Sequence, residues 1–137
     1  MDSAQLRERF ASSRVARLAT VRPDGRPHVV PCVFALVGDA VYTAVDAKPK
    51  RTTRLQRLAN VSAEPRCAVL VDRYDDDWTQ LWWVRADGRA AIVDEPSADH
   101  PGIRALVERF PQYREEPPTG PLLVVTVDRW TGWSARS

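Results

Sequence analysis

The sequence predicts a small antiparallel β-barrel with helices plugging its ends. Three observations predict it. Six or seven short apolar segments recur along 137 residues. Most are joined by tight turns, which suit antiparallel neighbours, and not by crossover helices. Val, Leu and Ala take adjacent positions within several segments, so both faces of the sheet are covered. No repeat, linker or low-complexity tract interrupts the chain, and 1–137 is expected to be one domain. A chain this long buries roughly two-thirds of its unfolded surface without a disulfide or metal staple.

Each element has a local cause. Asp2 or Ser3 can cap a first helix, in which Leu6 and Phe10 share a face at i,i+4. A strand follows over 15–21. Asp24-Gly25 supplies the positive φ of a tight hairpin, and 29–37 is the return strand. Pro31 inside it implies an edge, a bulge or an interrupted ladder. Gly38-Asp39 turns the chain into 40–45. After a loop over 46–50, helical periodicity runs over 51–63, with Leu55, Leu58 and Ala59 apolar. Residues 66–72 form a strand rich in Val and Leu, and 75–77 an acidic loop. Residues 81–93 form a strand pair or one long strand bent near Asp87-Gly88. Ser97 or Asp99 caps a second amphipathic helix whose stripe is Ile103, Leu106, Val107 and Phe110. Residues 112–121 read as a proline-rich loop and 122–128 as the closing strand. Trp130 and Trp133 follow as a lid or a partner contact.

Composition excludes several function classes. Hydrophobic residues are 44% and charged residues 28%, which argues against disorder. No apolar run approaches the ~20 residues of a bilayer span, and residues 1–10 are too charged for a signal core. No membrane association is expected, and a cytoplasmic location is the default. Net charge is +2 and only one helix carries a basic face, so nucleic acid is not an expected partner. Cys32 and Cys67 lack metal or redox spacing and read as small buried hydrophobes. His28 and His100 are not spaced as a metal pair, and no metal is expected. His28 itself reads as a cofactor contact or, more commonly for a strand, a half-buried histidine. No dinucleotide fingerprint, Walker loop or nucleophile elbow occurs.

Two clusters carry chemistry. The chain has 18 arginines and two lysines, and both lysines fall beside Arg51, Arg54 and Arg57. In a helix beginning near Arg51, Lys50, Arg54 and Arg57 share a face. Like charges there repel, and the positive end of the helix dipole adds to the repulsion. An anion such as phosphate relieves both, with Thr52 and Thr53 hydroxyls at hand. The bland alternative is a solvated basic face. The second cluster is Trp78, Leu81, Trp82 and Trp83. In a strand, Trp82 and Trp83 point to opposite faces, so one can fill the core while the other walls a cavity or an interface. Two core tryptophans are the alternative.

The run Leu18-Ala19-Thr20-Val21-Arg22-Pro23-Asp24-Gly25-Arg26-Pro27-His28-Val29-Val30-Pro31-Cys32-Val33-Phe34 resembles the opening hairpin of the pyridoxamine 5′-phosphate oxidase-like split β-barrel family. The basic stretch 48–60, the strand 66–72 and Trp82-Trp83-Val84-Arg85-Ala86-Asp87-Gly88-Arg89-Ala90 extend the resemblance to most of the chain, ending at Trp133. It implies an antiparallel six-stranded split barrel with flanking helices, and a homodimer with flavin-like cofactors at its interface. The Trp-Trp-Val-Arg strand and the Lys-Pro-Lys-Arg loop resemble the branch that binds the deazaflavin coenzyme F-420. FMN is the alternative cofactor. By this resemblance Lys50, Arg51 and Arg54 hold the phosphate, and Lys48 or Arg57 the anionic tail. The backbone of Thr20, Val21, Val30 and Val33 borders the ring, and Trp82 or Trp83 walls the pocket. No side chain need be catalytic, because the cofactor performs the hydride transfer. The resemblance therefore implies an oxidoreductase acting on a small planar electron-poor substrate such as a quinone, an enone or a tetrapyrrole. An FMN oxidoreductase, or a cofactor carrier without turnover, are the other functions it allows.

Overall fold

A computed structural model describes residues 1–45 and 55–136. Helix α1 (Ser3–Ser12) starts at Asp2, whose side chain accepts from Gln5 N–H while the Gln5 side chain accepts from Asp2 N–H. This reciprocal cap holds the helix where Leu6 and Phe10 reach the core. Strands β1 (Val15–Val21) and β2 (Pro27–Val33) form the first hairpin, paired without a break from Val15↔Val33 to Val21↔Pro27. Gly25 at its tip has φ 90°, a conformation that glycine adopts without penalty. β3 (Ala35–Val37) and β4 (Ala40–Ala44) form a second, tighter hairpin. Helix α2 (Gln56–Ala63) leads to β5 (Arg66–Arg73), a 3-10 turn (Trp78–Gln80) and β6 (Trp82–Val93). Helices α3 (Pro101–Arg109) and α4 (Pro111–Glu115) precede β7 (Leu122–Ser134).

The strands form one antiparallel sheet in the order β2-β1-β5-β6-β7-β4-β3. Its two ends are consecutive in sequence, with only Phe34 between β2 and β3. The sheet therefore curls until its ends meet, giving a split barrel with flanking helices. Among the described residues seven strands stand where the resemblance implied six. The return strand expected over 29–37 is broken at Phe34, which turns fully into the core against Phe10, ring centroids 5.0 Å apart. The ladder runs through Pro31, opposite Arg17. β2 tolerates this proline because it is the outermost strand, where a missing N–H breaks no ladder bond.

The core has two parts. One fills the barrel with Phe10, Leu18, Phe34, Val69, Val71, Val84 and Val125, closed at one end by α1. The other lies between α3 and the β3–β4–β7 corner, built from Ile103, Leu106, Phe110 and Leu122. Complete burial of a side chain such as Leu18 or Phe10 contributes roughly 1.5–3 kcal/mol.

β6 is one strand, bent by a register shift between Asp87 and Gly88, which is the second of the two forms expected for 81–93. Three other expectations are corrected. α3 is capped by His100, whose Nδ1 accepts from Gly102 N–H at 3.0 Å, and not by Ser97 or Asp99. Residues 111–115 are helical because Pro111 at the first helical position already has the φ a helix requires. β7 extends to Ser134, so Trp130 and Trp133 lie within it. Trp130 packs edge-on to Phe10, while Trp133 is half exposed on the outer face. Among the described residues, no helix is long and apolar enough to cross a membrane.

Candidate functional site

The sheet is split between β2 and β4. Among the described residues no ladder joins them, but the Thr43 hydroxyl donates to the Val33 carbonyl at 2.8 Å and pins the two strands near their closing point. A cleft of about 340 Å³ lies there, lined by Pro31, Cys32 and Val33 of β2, Thr43 and Ala44 of β4, and Arg57 of α2, with Val15 and Tyr113 at its margins. Val15, Pro31 and Val33 also belong to the outer face of the sheet, so the cleft opens onto that face.

α2 positions Arg57 through its own packing. Leu58 and Val61 turn into the core, and Asn60 between them is fully buried. Asn60 is held on both sides: its Nδ2 donates to Thr20 Oγ1 at 2.9 Å, and Gln56 Nε2 donates to its Oδ1 at 2.8 Å. This network fixes the rotation of α2 against β1 and leaves half-buried Arg57 facing the cleft. Arg57 has no ion-pair or hydrogen-bond partner among the described residues. Burial pushes the Cys32 thiol above its ordinary value, against the opposing Thr43 hydrogen bond and the charges of Arg57 and Arg17. Burial thus favours the uncharged thiol of Cys32 as a wall of the cleft.

A larger hollow, about 530 Å³, lies across the β1–β5–β6 surface and includes Thr20, Val21, Cys67 and Gly88. Its charges are mixed: Glu64, Asp87 and Asp128 stand with Arg66 and Arg89. Burial first, then Asp87 and Asp128, raise the Cys67 thiol to about 11. Size alone does not make this the site, because its cations are matched by acids. Among the described residues, no three metal-ligating side chains come together.

The sequence-derived site residues separate on this frame. Val33 and Arg57 meet in the cleft of the split. Thr20 and Val21 border the other hollow, and the Thr20 side chain points inward to Asn60. Val30 is part-buried against the barrel core. Trp82 also faces the core, under the Arg9 guanidinium at 5.3 Å. Trp83 takes the opposite, outer face, 5.7 Å beneath Arg85 and paired with Trp133. Lys48, Lys50, Arg51 and Arg54, with Thr52, Thr53 and the expected start of the basic helix, lie outside the described residues. His28 is half-buried, and its Nδ1 has no hydrogen-bond partner among the described residues. Sequence reasoning missed Thr43, Asn60 and Tyr113, which join the site only through pairing across the barrel. A polar residue between Leu58 and Val61 in an amphipathic helix was the one available signal for Asn60.

An antiparallel sheet that meets its own start, with an arginine lining a cleft in the opening, defines a split β-barrel with a ligand-sized site. Over residues 3–134 this chain belongs to the pyridoxamine 5′-phosphate oxidase family. It is similar to the crystal structure of a conserved hypothetical protein from Mycobacterium tuberculosis, 26% identical with a TM-score of 0.78, over 99% of this chain and 86% of that one. A FAD-binding protein from Mesorhizobium loti shares the fold at 20% identity and a TM-score of 0.72, over 96% of this chain and 92% of that one. So does the heme storage protein HutZ from Vibrio cholerae, at 15% identity and a TM-score of 0.70, over 96% of this chain and 93% of that one. No curated protein matches the chain.

Proposed function

We propose that this protein is an oxidoreductase that uses reduced coenzyme F-420 to deliver hydride to a small planar electron-poor acceptor, such as a quinone, an enone or a tetrapyrrole. One observation carries this reading: a cleft between strands, walled mainly by apolar side chains, is lined by an arginine that has no counter-charge among the described residues. The residues suit a flat heterocycle with an anionic arm. Val33, Ala44 and the neutral Cys32 offer walls for a ring, and Arg57 offers charge for a phosphate or a carboxylate tail. In sequence, Lys48, Lys50, Arg51 and Arg54 stand just before α2, more positive charge than one FMN phosphate needs. That excess favours the more anionic F-420 over FMN.

Homodimerisation completes this site. The outer face of β2-β1-β5-β6-β7 exposes Val15, Val21, Val29 and Trp133. It also carries Arg17 and Arg85 together with Asp72 and Asp87. A twofold interface must be complementary to itself, and a face bearing both signs of charge beside exposed apolar side chains meets that condition. The second copy covers the cleft mouth at Val15 and Pro31 and keeps water from the ring.

When bound, reduced F-420 would supply the hydride, which carries two electrons, and the reduced product would take its proton from water on release into solvent. The chain's own residues bind and orient. Arg57 fixes the anionic arm, Thr43 holds the cleft at constant width through Val33, and the strand walls exclude solvent.

Fluorescence titration of the cofactor-stripped protein with F-420 and, separately, with FMN tests this. Micromolar or tighter preference for F-420, lost by about tenfold or more in Arg57→Ala, is the expected result. Preference for FMN assigns the cleft to a flavin enzyme. Binding without turnover on a panel of quinones and enones assigns it to a carrier. Binding of neither cofactor overturns the proposal.

A further inference from the structure

Next to the cofactor cleft, and sharing Val33 and Tyr113 with it, lies a second hollow of about 490 Å³. Phe110, Pro111 and Val33 give it apolar walls, Gln112 a side-chain amide and Arg14 a charge. The Arg14 guanidinium lies 5.8 Å from the centre of the Phe110 ring and donates to the Arg109 carbonyl at 3.3 Å. Arg109 sits against the same ring at 5.5 Å and against Phe34 at 5.1 Å, and donates to the Ser13 carbonyl.

Two guanidinium groups thus crowd one phenylalanine. Neither makes an ion pair among the described residues, although Glu108, Glu115 and Glu116 are carried by or adjoin the same two helices. Burial and then the Arg14 charge push Arg109 below its ordinary range, the direction expected where positive charge is crowded and partly dehydrated. Among the described residues no carboxylate lines either this hollow or the cofactor cleft, whereas three line the mixed-charge hollow elsewhere on the sheet. An uncompensated cation over apolar walls favours a ligand that brings its own negative charge.

We propose that this hollow seats the acceptor, and that the acceptor is a planar molecule bearing a carboxylate, which Arg14 holds while its ring lies between Phe110 and Val33 towards the cofactor cleft. This rests on the function proposed above and narrows its substrate class from planar acceptors in general to anionic ones.

A redox-inert pair tests the site without turnover. Calorimetric titration of the purified protein compares 2-naphthoate with its methyl ester, which has the same ring and no charge. Each is measured at low and high salt, and with and without F-420. The expected result is an affinity for naphthoate about tenfold above that for the ester, diminished by salt. Arg14→Gln brings the ratio close to one, and Arg14→Lys restores part of it. Arg104→Gln, an exposed arginine on α3 outside the hollow, retains it. Equal affinities in the native protein, or a preference that survives Arg14→Gln, overturn the proposal. If Arg14→Gln does not fold, salt dependence and Arg14→Lys still decide. The two proposals fail separately: F-420 binding without a naphthoate preference removes only the anionic acceptor. A naphthoate preference without F-420 binding removes the function proposed above and leaves an anion site.

Discussion

Replacing Asn60 with Ala deletes the only side chain that, among the described residues, links α2 to β1 by a hydrogen bond. Asn60 is 0% and Thr20 2% exposed, so water cannot replace the lost 2.9 Å bond. Leaving the Thr20 hydroxyl unpartnered costs about 1–3 kcal/mol, and the vacated amide adds a cavity term. Asn60→Ala should therefore destabilise by about 3 kcal/mol. Thr20→Val leaves the Asn60 N–H unpartnered and should cost about 1–2 kcal/mol. In the double variant neither group is left waiting for the other, so the loss should fall short of the sum by about 1–2 kcal/mol. Urea unfolding at one fixed protein concentration, followed by tryptophan fluorescence, measures all four corners of the cycle. Losses that add to within about 0.5 kcal/mol would refute the claim that this bond sets the position of α2. Since Arg57 lies one turn before Asn60, the single variant should also weaken cofactor binding more than its stability loss explains.

Three further outcomes are expected. Gly88→Ala places a Cβ 2.2 Å from the Thr126 carbonyl oxygen, a backbone atom that cannot swing aside, so the bulge must reopen. A loss of at least about 3 kcal/mol, seen as a lowered Tm, is expected. The Cys67 thiol, raised to about 11 from an ordinary 9.0, is neutral in the folded state where the unfolded chain would ionise it. Stability from this source is complete below pH 9 and is lost as pH rises towards 11. Allowing for partial exposure it amounts to about 2 kcal/mol, and Cys67→Ala should flatten that alkaline slope in pH-dependent urea unfolding. Val29→Glu puts a charge on the outer face at its β2 edge, where Val29 is 61% accessible. Sedimentation should then show monomer at concentrations where the native protein is a dimer, with unchanged far-UV dichroism; a native monomer would refute the interface.

Local elements are legible in the sequence where a turn and an alternating pattern agree. β1 is bounded by Asp24-Gly25 and alternates inward Ala16, Leu18 and Thr20 with outward Val15, Arg17 and Val21. The bend near Asp87-Gly88 is legible for the same reason, since glycine marks a close backbone approach. The break at Phe34 is not, because Pro31 is the stronger local signal and only the curl of the whole sheet demands a kink three residues later. The site divides in the same way. Arg57 is visible as part of a charge cluster. Thr43 and Tyr113 are not, because each joins the cleft by pairing or packing far along the chain. Trp82 and Trp83 show what alternation can settle: that they part to opposite faces. Which of them faces the core depends on the register of β6 with β5 and β7.

The prolines of β2 have a consequence beyond allowing the hairpin. Val33 turns its carbonyl away from β1 to meet Thr43, so the backbone groups of Pro27, Val29 and Pro31, which alternate in phase with it, point the same way. Two of those three residues have no N–H. An invading strand would find a single amide donor, that of Val29, across five residues of open edge. The split therefore stays open to a small molecule while resisting extension by another polypeptide, and the protein keeps a gap in its sheet without the risk of polymerising through it.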